Sequence, residues 1–279
     1  MKRPEFARVI ATLIERLLSI TTAFLRPDAQ VACLTYLLDK INPTRIVSTK
    51  HGPNSFFCSS SETYNASIMK EKRTLDWIDS FDENDILYDV GAHAGSYTLY
   101  AATRNIVVYA FEPAASTYST LVRNIQLNGF SELVSSFNVA LNDKTLVDML
   151  HMEDILPGRC GHTFAEFAQE LKEQENTQFA YRQTSLGYSL DDFVEKFNLK
   201  EPNHIKIDVD GNEDKILSGA LNTISNPTVK SIAVELYQAW RQGSYNDRVI
   251  KTLSDHKFQL VDEVKTGSGV PGNHLFVRH

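Results

Sequence analysis

From Asp85 onward, the chain alternates short apolar runs with segments that have helical spacing. Helix-like segments such as Ser96–Arg104 and Ser116–Asn128 separate the runs. Nearly continuous apolar strands joined by helices are typical of βαβ units, whose parallel sheet is covered on both faces. The strands predicted from these runs are Ile86–Val90, Ile106–Phe111, Val134–Val139, Ile205–Val209 and Val229–Leu236.

Two further apolar runs close the sequence, Phe258–Val264 and His274–Val277. A glycine-rich turn joins them, and it is too short for a parallel crossover, which needs about a dozen residues or more. The two runs are therefore predicted to pair antiparallel. The predicted fold class is α/β, with a doubly wound, mostly parallel sheet that ends in a C-terminal antiparallel hairpin.

Residues 1–65 lack this alternation of apolar runs and helical segments. They are predicted to form a helical and irregular extension of a domain over residues 66–279. Pro27-Asp28 separates two helices, because proline and the residue before it disfavour continuous helix. Residues 42–61 are predicted to be irregular or short extended structure. A helix over Ala66–Ser80 then opens the main domain.

The first helix is rather apolar over Phe6–Leu25 but carries Arg8, Glu15 and Arg16. Three charges within that stretch disfavour a transmembrane span. The helix is predicted to dock on the main domain. A membrane-surface helix and a homodimer contact are the alternatives.

Residues 150–189 interrupt the strand and helix alternation between the third and fourth strands. They contain a loop around Pro157-Gly158 and a polar helix predicted over Phe164–Glu175. Loops at the carboxyl ends of parallel strands bind ligands in such folds. The insert is therefore predicted to be either a lid or a passive surface elaboration.

The loop after the first strand carries the most informative motif, Asp89 to Ser96. Gly91 allows a sharp turn and the close approach of a ligand, and Gly95 lets the next helix pack on the strand. The dinucleotide fingerprint G-x-G-x-x-G fails here, because its second and third glycine positions hold His93 and Ser96. A ligand whose anionic end is only a carboxylate, such as S-adenosylmethionine, suits the pattern better. The loop residues predicted to bind it are Asp89, Gly91, Ala92, His93, Gly95 and Ser96.

The second strand ends at Glu112-Pro113, where an acidic side chain can accept hydrogen bonds from both hydroxyls of a ribose. The end of the third strand, at Asn138, Val139 and Ala140, is predicted to lie beside the adenine. Plain packing of the strand end is the alternative there. Asp89 either fixes the loop or holds the amino group of the ligand.

Charged residues in the fourth strand are candidates for catalysis. Alternation places Lys206, Asp208 and Asp210 on one side of the strand, and charges in a buried strand are costly unless they are paired. Lys206 and Asp208 either form a structural pair or act on the substrate, with Asp208 as base or as partner of the sulfonium. Glu235, at the end of the fifth strand, is the second candidate base.

Composition narrows the classes of partner. The 279 residues carry a net charge of −7, so the basic footprint of a nucleic-acid binder is absent. The three cysteines are far apart and form no C-x-x-C pair, which favours free thiols and a reducing cytoplasm. No residue spacing in the sequence requires a metal site.

Six segments together resemble the FkbM family of S-adenosylmethionine-dependent methyltransferases, from about Glu71 to the C-terminus. His93 and Asp210 depart mildly from that family, which commonly has a small residue or Asn and a Glu there. The resemblance implies a class I methyltransferase fold with strand order 3-2-1-4-5-7-6. It also implies O-methylation of a sugar, glycan or secondary metabolite. The segments are DVGAHAGSYTLYAA (89–102), AFEP (110–113), LVRNIQLNG (121–129), NVAL (138–141), SLDDF (189–193) and IKIDVDGNEDKILSGA (205–220).

Two other functions remain open at this point. An NAD-dependent sugar-nucleotide enzyme would need a three-glycine loop after the first strand and a catalytic Tyr-x-x-x-Lys pair in the same domain. That loop lacks the three glycines, and residues 66–279 contain no such pair. A non-catalytic nucleoside-binding module would keep Glu112 but would bind no acceptor.

Overall fold

The structure is a computed structural model of the chain and describes residues 3–67, 69, 71–165, 178–236, 244–262 and 272–278. It contains two compact units, Met1–Pro43 and Thr44–His279. The boundary lies at Pro43, so residues 44–65 pack within the second unit, whereas the sequence grouped them with the first helices.

The first unit consists of two helices, α1 (Arg3–Thr22) and α2 (Pro27–Lys40), as the sequence predicted. Pro27 occupies the start of α2, where its missing N–H is tolerated. The side-chain amide of Gln30 donates to the Thr22 hydroxyl across the break, at 3.1 Å. None of the helices in the described ranges is long and apolar enough to cross a membrane.

The second unit opens with an antiparallel hairpin, β1 (Thr44–Thr49) and β2 (Gly52–Phe57), followed by α3 (Ser61–Ala66) and α4 (Lys72–Asp79). The prediction of one helix over 66–80 was wrong at its start. Ser60 caps α3 through a capping box with Thr63, so a helix begins at residue 61. That helix ends at Ala66, the residue at which the predicted helix begins.

The remaining elements form the body of the unit. Its helices are α5 (Ser96–Thr103), α6 (Ala115–Leu127), α7 (Leu190–Phe197), α8 (Glu213–Ser218), α9 (Leu221–Ser225) and α10 (Ser244–Asp255). Its strands are β3 (Ile86–Val90), β4 (Val107–Phe111), β5 (Val134–Phe137), β6 (Ala140–Leu141), β7 (Leu146–Met152), β8 (His162–Phe164), β9 (Tyr181–Tyr188), β10 (His204–Ile207), β11 (Ser231–Leu236), β12 (Phe258–Asp262) and β13 (Gly272–Arg278).

Seven strands form the central sheet in the order β12-β13-β11-β10-β3-β4-β5. The neighbours from β11 to β5 are parallel, while β13 runs antiparallel to both β11 and β12. Counted along the chain, the order is 3-2-1-4-5-7-6. This confirms the predicted α/β class, the C-terminal hairpin and the class I methyltransferase topology.

A second sheet of four strands, in the order β6-β9-β7-β8, lies in the region of the predicted insert. The sequence did not predict these strands, because β9 (YRQTSLGY) is mostly polar and half-exposed and lacks an apolar run. Phe164 ends β8 and packs where a side chain on Gly187 would lie, 2.5 Å from its ring. The rest of the helix predicted over Phe164–Glu175 falls mainly outside the described residues.

A buried polar network joins strands and helix at the amino ends of β10 and β11. The imidazole of His204 lies 2.7 Å from the Ser231 hydroxyl and 2.9 Å from the Asp85 carboxylate. The indole N–H of Trp77 donates to the same hydroxyl at 2.8 Å. Phe81 stacks on His204 with 3.6 Å between ring centroids. Each buried polar group in the network therefore has a partner.

Removing the Ser231 hydroxyl, which contacts both His204 and Trp77, should destabilise the fold. Ser231→Ala leaves the indole N–H and one imidazole nitrogen buried without a partner, which costs about 1–3 kcal/mol. We expect urea denaturation to show a loss of that size in the free energy of unfolding. Ser218→Ala is the matched control, because its exposed hydroxyl bonds only the Asp214 carbonyl and should matter by less than about 0.5 kcal/mol. Equal effects of the two changes would contradict the structural role of Ser231.

Candidate functional site

A cavity of about 400 Å³ opens at the carboxyl ends of β3, β4 and β10. The loops after these strands form its floor, and α3 together with the segment between β7 and β8 forms its walls. Most of the lining residues are of polar or charged type. The lining comprises Glu62, Asn65, Ala66, Met69, Glu71, Gly91, Ala92, His93, Ser96, Tyr97, Glu112, Pro113, Gly158, Arg159, Cys160, His162, Lys206, Asp208, Val209 and Asp210.

The protein backbone itself requires Gly91, in the sharp turn that the sequence predicted. Its φ is +80°, and a Cβ atom placed there would lie 1.8 Å from the carbonyl oxygen of Asp208. The N–H groups of Gly91 and Ala92 both donate to the Phe111 carbonyl at 3.0 Å. The loop after β3 is therefore fixed between the ends of β4 and β10.

Gly95 also serves packing, but against a different partner than predicted. It precedes α5 with φ +92°, and a Cβ atom there would lie 2.7 Å from the Leu121 side chain of α6. The glycine thus lets α6 approach the loop, and it does not pack α5 on the strand. Gly95 lines none of the described cavities.

Asp89 lies behind the loop and lines neither cavity. Its carboxylate accepts the hydroxyl proton of Thr98 at 2.5 Å, and its second oxygen has no partner among the described residues. Burial raises the pKa of Asp89. The contact with Thr98, in the first turn of α5, supports a role in fixing the loop. Ser96, in the cavity wall, donates to the Ala66 carbonyl at 2.6 Å.

Glu112 lies where the sequence placed it, buried at the end of β4 and facing the cavity. One carboxylate oxygen accepts the His93 N–H at 3.0 Å, and the other accepts the Ala114 N–H at 2.9 Å. Each oxygen keeps a further lone pair. Burial raises the pKa of Glu112 to about 7, although the two backbone bonds oppose that shift.

The corner after β5 divides into two parts. Asn138 is exposed and donates to the carbonyls of Glu112 and Pro113, at 2.8 and 2.9 Å, so it fixes that turn and does not line a cavity. Val139 and Ala140 line an apolar slot of about 30 Å³ that shares Gly91 with the cavity. The slot has room for a water-sized group, so a purine would need its walls to separate.

Lys206 and Asp208 form the pair that the sequence allowed. Lys206 is 1% exposed, and its ammonium lies 2.5 Å from a carboxylate oxygen of Asp208 and 4.9 Å from the Tyr97 ring centre. Burial alone would lower the pKa of Lys206, but the carboxylates of Asp208 and Asp89 outweigh burial and raise it. Lys206 in turn overcomes the effect of burial on Asp208 and lowers its pKa. Both groups are ionised near neutral pH.

Glu235, the second expected base, ends β11 and does not line the cavity. Burial and the charges of Asp208 and Asp210 raise the pKa of Glu235 to about 10. It therefore carries a proton near neutral pH, which disfavours its role as a base. The neighbouring Tyr237 and Trp240, expected to line an acceptor pocket, fall outside the described residues.

One wall of the cavity is the segment 157–162 between β7 and β8, which belongs to the insert predicted to be either a lid or a passive surface elaboration. Its ends are tied down: the Ser60 hydroxyl donates to the Pro157 carbonyl at 2.6 Å, and the Gly161 N–H donates to Asp210 at 2.8 Å. Arg159 pairs with Glu62 at 3.2 Å. Pro157-Gly158 was the available sequence signal, but it indicates a turn and not what the turn covers.

Comparison with known proteins identifies related sequences. A family model described as Methyltransferase FkbM domain matches residues 89–260, more than half of the chain. Methyltransferase 1 of Beauveria bassiana is 28% identical over 166 residues, which cover 56% of this chain and 66% of that protein. Hexuronic acid methyltransferase AglP of Haloferax volcanii is 25% identical over 180 residues, 64% of this chain and 66% of that protein. The matches thus span just under two thirds of each relative.

A solved structure is similar as well. Methyltransferase FkbM from Methylobacillus flagellatus aligns with a TM-score of 0.47 and 17% sequence identity. The alignment covers 71% of this chain and 44% of that one.

The raised pKa of Glu112 makes a pH-dependent contribution to stability. Between its ordinary value of 4.5 and about 7, the unfolded chain loses this proton while the folded chain keeps it. Stability therefore falls as pH rises through that window, by up to about 3 kcal/mol. Relative to Glu112→Gln, wild-type stability should decline from about pH 4.5 to 7 and then level off, measured by urea denaturation. Exposed Glu132→Gln is the control, and a difference independent of pH would contradict the burial of an ionisable Glu112.

Proposed function

The chain belongs to the FkbM methyltransferase family, and we therefore propose that it transfers the methyl group of S-adenosylmethionine to a hydroxyl of a sugar, glycan or secondary metabolite. The observation that carries this proposal is the buried Glu112 carboxylate on the cavity wall, beside the glycine turn after β3. An acid with free lone pairs at the end of the second strand matches the hydroxyls of a ribose.

The chain offers groups for each part of the cofactor. Glu112 would hold the ribose, and Val139 and Ala140 would flank the adenine once the slot widens. The N-terminus of α5 favours the carboxylate end, because the first N–H groups of a helix have no partner within the helix. When bound, S-adenosylmethionine supplies a methyl group activated on a sulfonium.

Asp208 supplies the negative charge that favours a sulfonium in the cavity. Its carboxylate is paired with the buried ammonium of Lys206, so it is fixed before any ligand binds. Preorganised charge costs no rearrangement during the reaction. Positioning of the acceptor hydroxyl against the methyl group is worth up to about 7–11 kcal/mol in favourable systems.

The described lining favours a neutral polyhydroxyl acceptor over an anionic one. Among the described residues, five acidic side chains line the cavity against two basic ones, Lys206 and Arg159. Both basic groups are already paired with carboxylates. Glu62, Asn65 and Glu71 offer polar atoms on the α3 side, where sugar hydroxyls would find partners. A hexuronate would meet unfavourable charge here, although one relative is named for that substrate class.

Cofactor binding tests the proposal directly. Titration calorimetry should show that S-adenosylhomocysteine binds the protein and that NAD does not. Glu112→Ala should weaken this binding by about 10–100-fold, since it removes hydrogen bonds to a charged group. Exposed Glu132→Ala should bind like the wild type. Binding of NAD without binding of S-adenosylhomocysteine would favour the nucleotide-dehydrogenase alternative and contradict the proposal.

Methyl transfer should depend on Asp208. With labelled S-adenosylmethionine and a panel of neutral sugars, hexuronates and secondary metabolites, we expect transfer to a neutral hydroxyl compound. Asp208→Asn should lower kcat by about 100-fold, as for loss of one fixed electrostatic group, while affinity for S-adenosylhomocysteine stays within about threefold. Exposed Asp143→Asn is the control. Unchanged kcat in Asp208→Asn would exclude the assigned role.

A further inference from the structure

The first helix, α1, leaves its apolar side chains in solvent. Within residues 6–43, Thr22 is the only buried residue. Seven apolar side chains of α1 are between 39 and 69% exposed, so they form no core of their own. Most of the stability of a helix in water comes from the packing of its apolar side, so we expect a partner to cover this one. The seven are Phe6, Val9, Ile10, Leu13, Ile14, Leu17 and Ile20.

The side chains of α1 are separated by polarity around the helix axis. At 3.6 residues per turn, the seven apolar positions fall within one arc of about 140°. The polar positions between residues 6 and 20 fall within the opposite arc, of about 100°, and none of them interrupts the apolar arc. The helix is therefore amphipathic over about four turns. Its polar positions are Arg8, Thr12, Glu15, Arg16 and Ser19.

The charge of this segment is opposite to that of the rest of the chain. Residues 1–26 contain five basic residues against two acidic ones, a net charge of +3, so the remaining residues carry −10 of the total −7. Two copies of α1 would bring like charges together, whereas an anionic surface would attract them. Charge complementarity therefore favours an anionic partner. The basic residues are Lys2, Arg3, Arg8, Arg16 and Arg26.

The width of the apolar arc distinguishes a surface from a single partner helix. Two helices that pack as a coiled coil use two apolar positions in every seven, which is a narrower stripe than the arc of α1. A helix that lies in a membrane interface combines a wide apolar side with a polar side rich in lysine or arginine. Both features are present in α1, whose polar side carries Arg8 and Arg16.

We propose that α1 lies in the surface of a membrane that contains anionic lipids. Its apolar side, from Phe6 to Ile20, enters the boundary between headgroups and acyl chains to a depth of about 5–10 Å. Arg8 and Arg16 remain at the level of the lipid phosphates, because long basic side chains keep their charge in the polar layer. Binding of a membrane by α1 is independent of the proposed methyl transfer, so either can fail without the other.

Sedimentation of the full chain with lipid vesicles tests the charge of the partner. We expect phosphatidylcholine vesicles with about 30% phosphatidylglycerol to bind at least about tenfold more tightly than pure phosphatidylcholine, and added salt should remove this preference. Arg8→Gln with Arg16→Gln should weaken binding to the anionic vesicles by about tenfold or more. Arg182→Gln with Lys200→Gln, at exposed positions elsewhere, is the matched control. No binding, or equal binding to both vesicles, would overturn the proposal.

A second pair of changes tests the apolar side. Leu13→Gln with Leu17→Gln should weaken vesicle binding by about 100-fold or more, since two leucines no longer leave water. Val147→Gln with Leu186→Gln, at exposed positions of the second sheet, is the matched control. The urea midpoint of unfolding should stay unchanged in Leu13→Gln with Leu17→Gln, because both leucines are exposed. A lowered midpoint would show that the second unit covers α1, and it would overturn the proposal.

The orientation of α1 separates a lipid partner from a second copy of the chain. On anionic vesicles, the emission of Leu17→Trp should shift to the blue and be quenched by brominated lipids, whereas Ser19→Trp, on the polar side, should change little. Equal quenching at both positions would overturn the proposal. Sedimentation velocity without vesicles completes the test. A dimer that Leu13→Gln with Leu17→Gln dissociates would assign the apolar side to a second copy and would also overturn it.

Discussion

The close approach of two backbone segments sets the relative positions of the groups at the floor of the cavity. Gly91 meets the carbonyl of Asp208 so closely that a single Cβ atom would lie 1.8 Å from it. Because these loops follow neighbouring parallel strands, the contact places the acid of one strand and the turn of the other side by side. His93 and Glu112 are then joined by the backbone N–H of the same turn. A larger residue at position 91 would separate all of them.

The site contains buried charged groups that compensate one another. Buried Lys206 is stabilised by Asp208 and Asp89, and protonated Glu235 spares Asp208 from a second repulsive charge. Breaking one partner of a buried pair leaves an uncompensated charge, which costs about 3–5 kcal/mol. The network therefore keeps one carboxylate ionised and rigid in the cavity. Such a carboxylate is suited to a cationic ligand.

The sequence predicted the central sheet well, because its strands are buried runs such as Ile86–Val90 whose pattern depends on local residues. The position of Glu112 was predicted from the end of the second apolar run. The pairing of Lys206 with Asp208 was predicted from the alternation of side chains along the fourth strand. The strands of the second sheet were missed, since a half-exposed strand such as β9 leaves little apolar signal. The wall at 157–162 and the reason for Gly91 depend on contacts between distant parts of the chain, and no local pattern carries them.

A crystal structure of the protein with S-adenosylhomocysteine would test the assignment most directly. If the assignment is right, both ribose hydroxyls lie within about 2.6–3.0 Å of the Glu112 carboxylate. The adenine then separates Val139 from the opposite wall of the slot. A ligand bound elsewhere, or a Glu112 side chain turned away from the ribose, would contradict it.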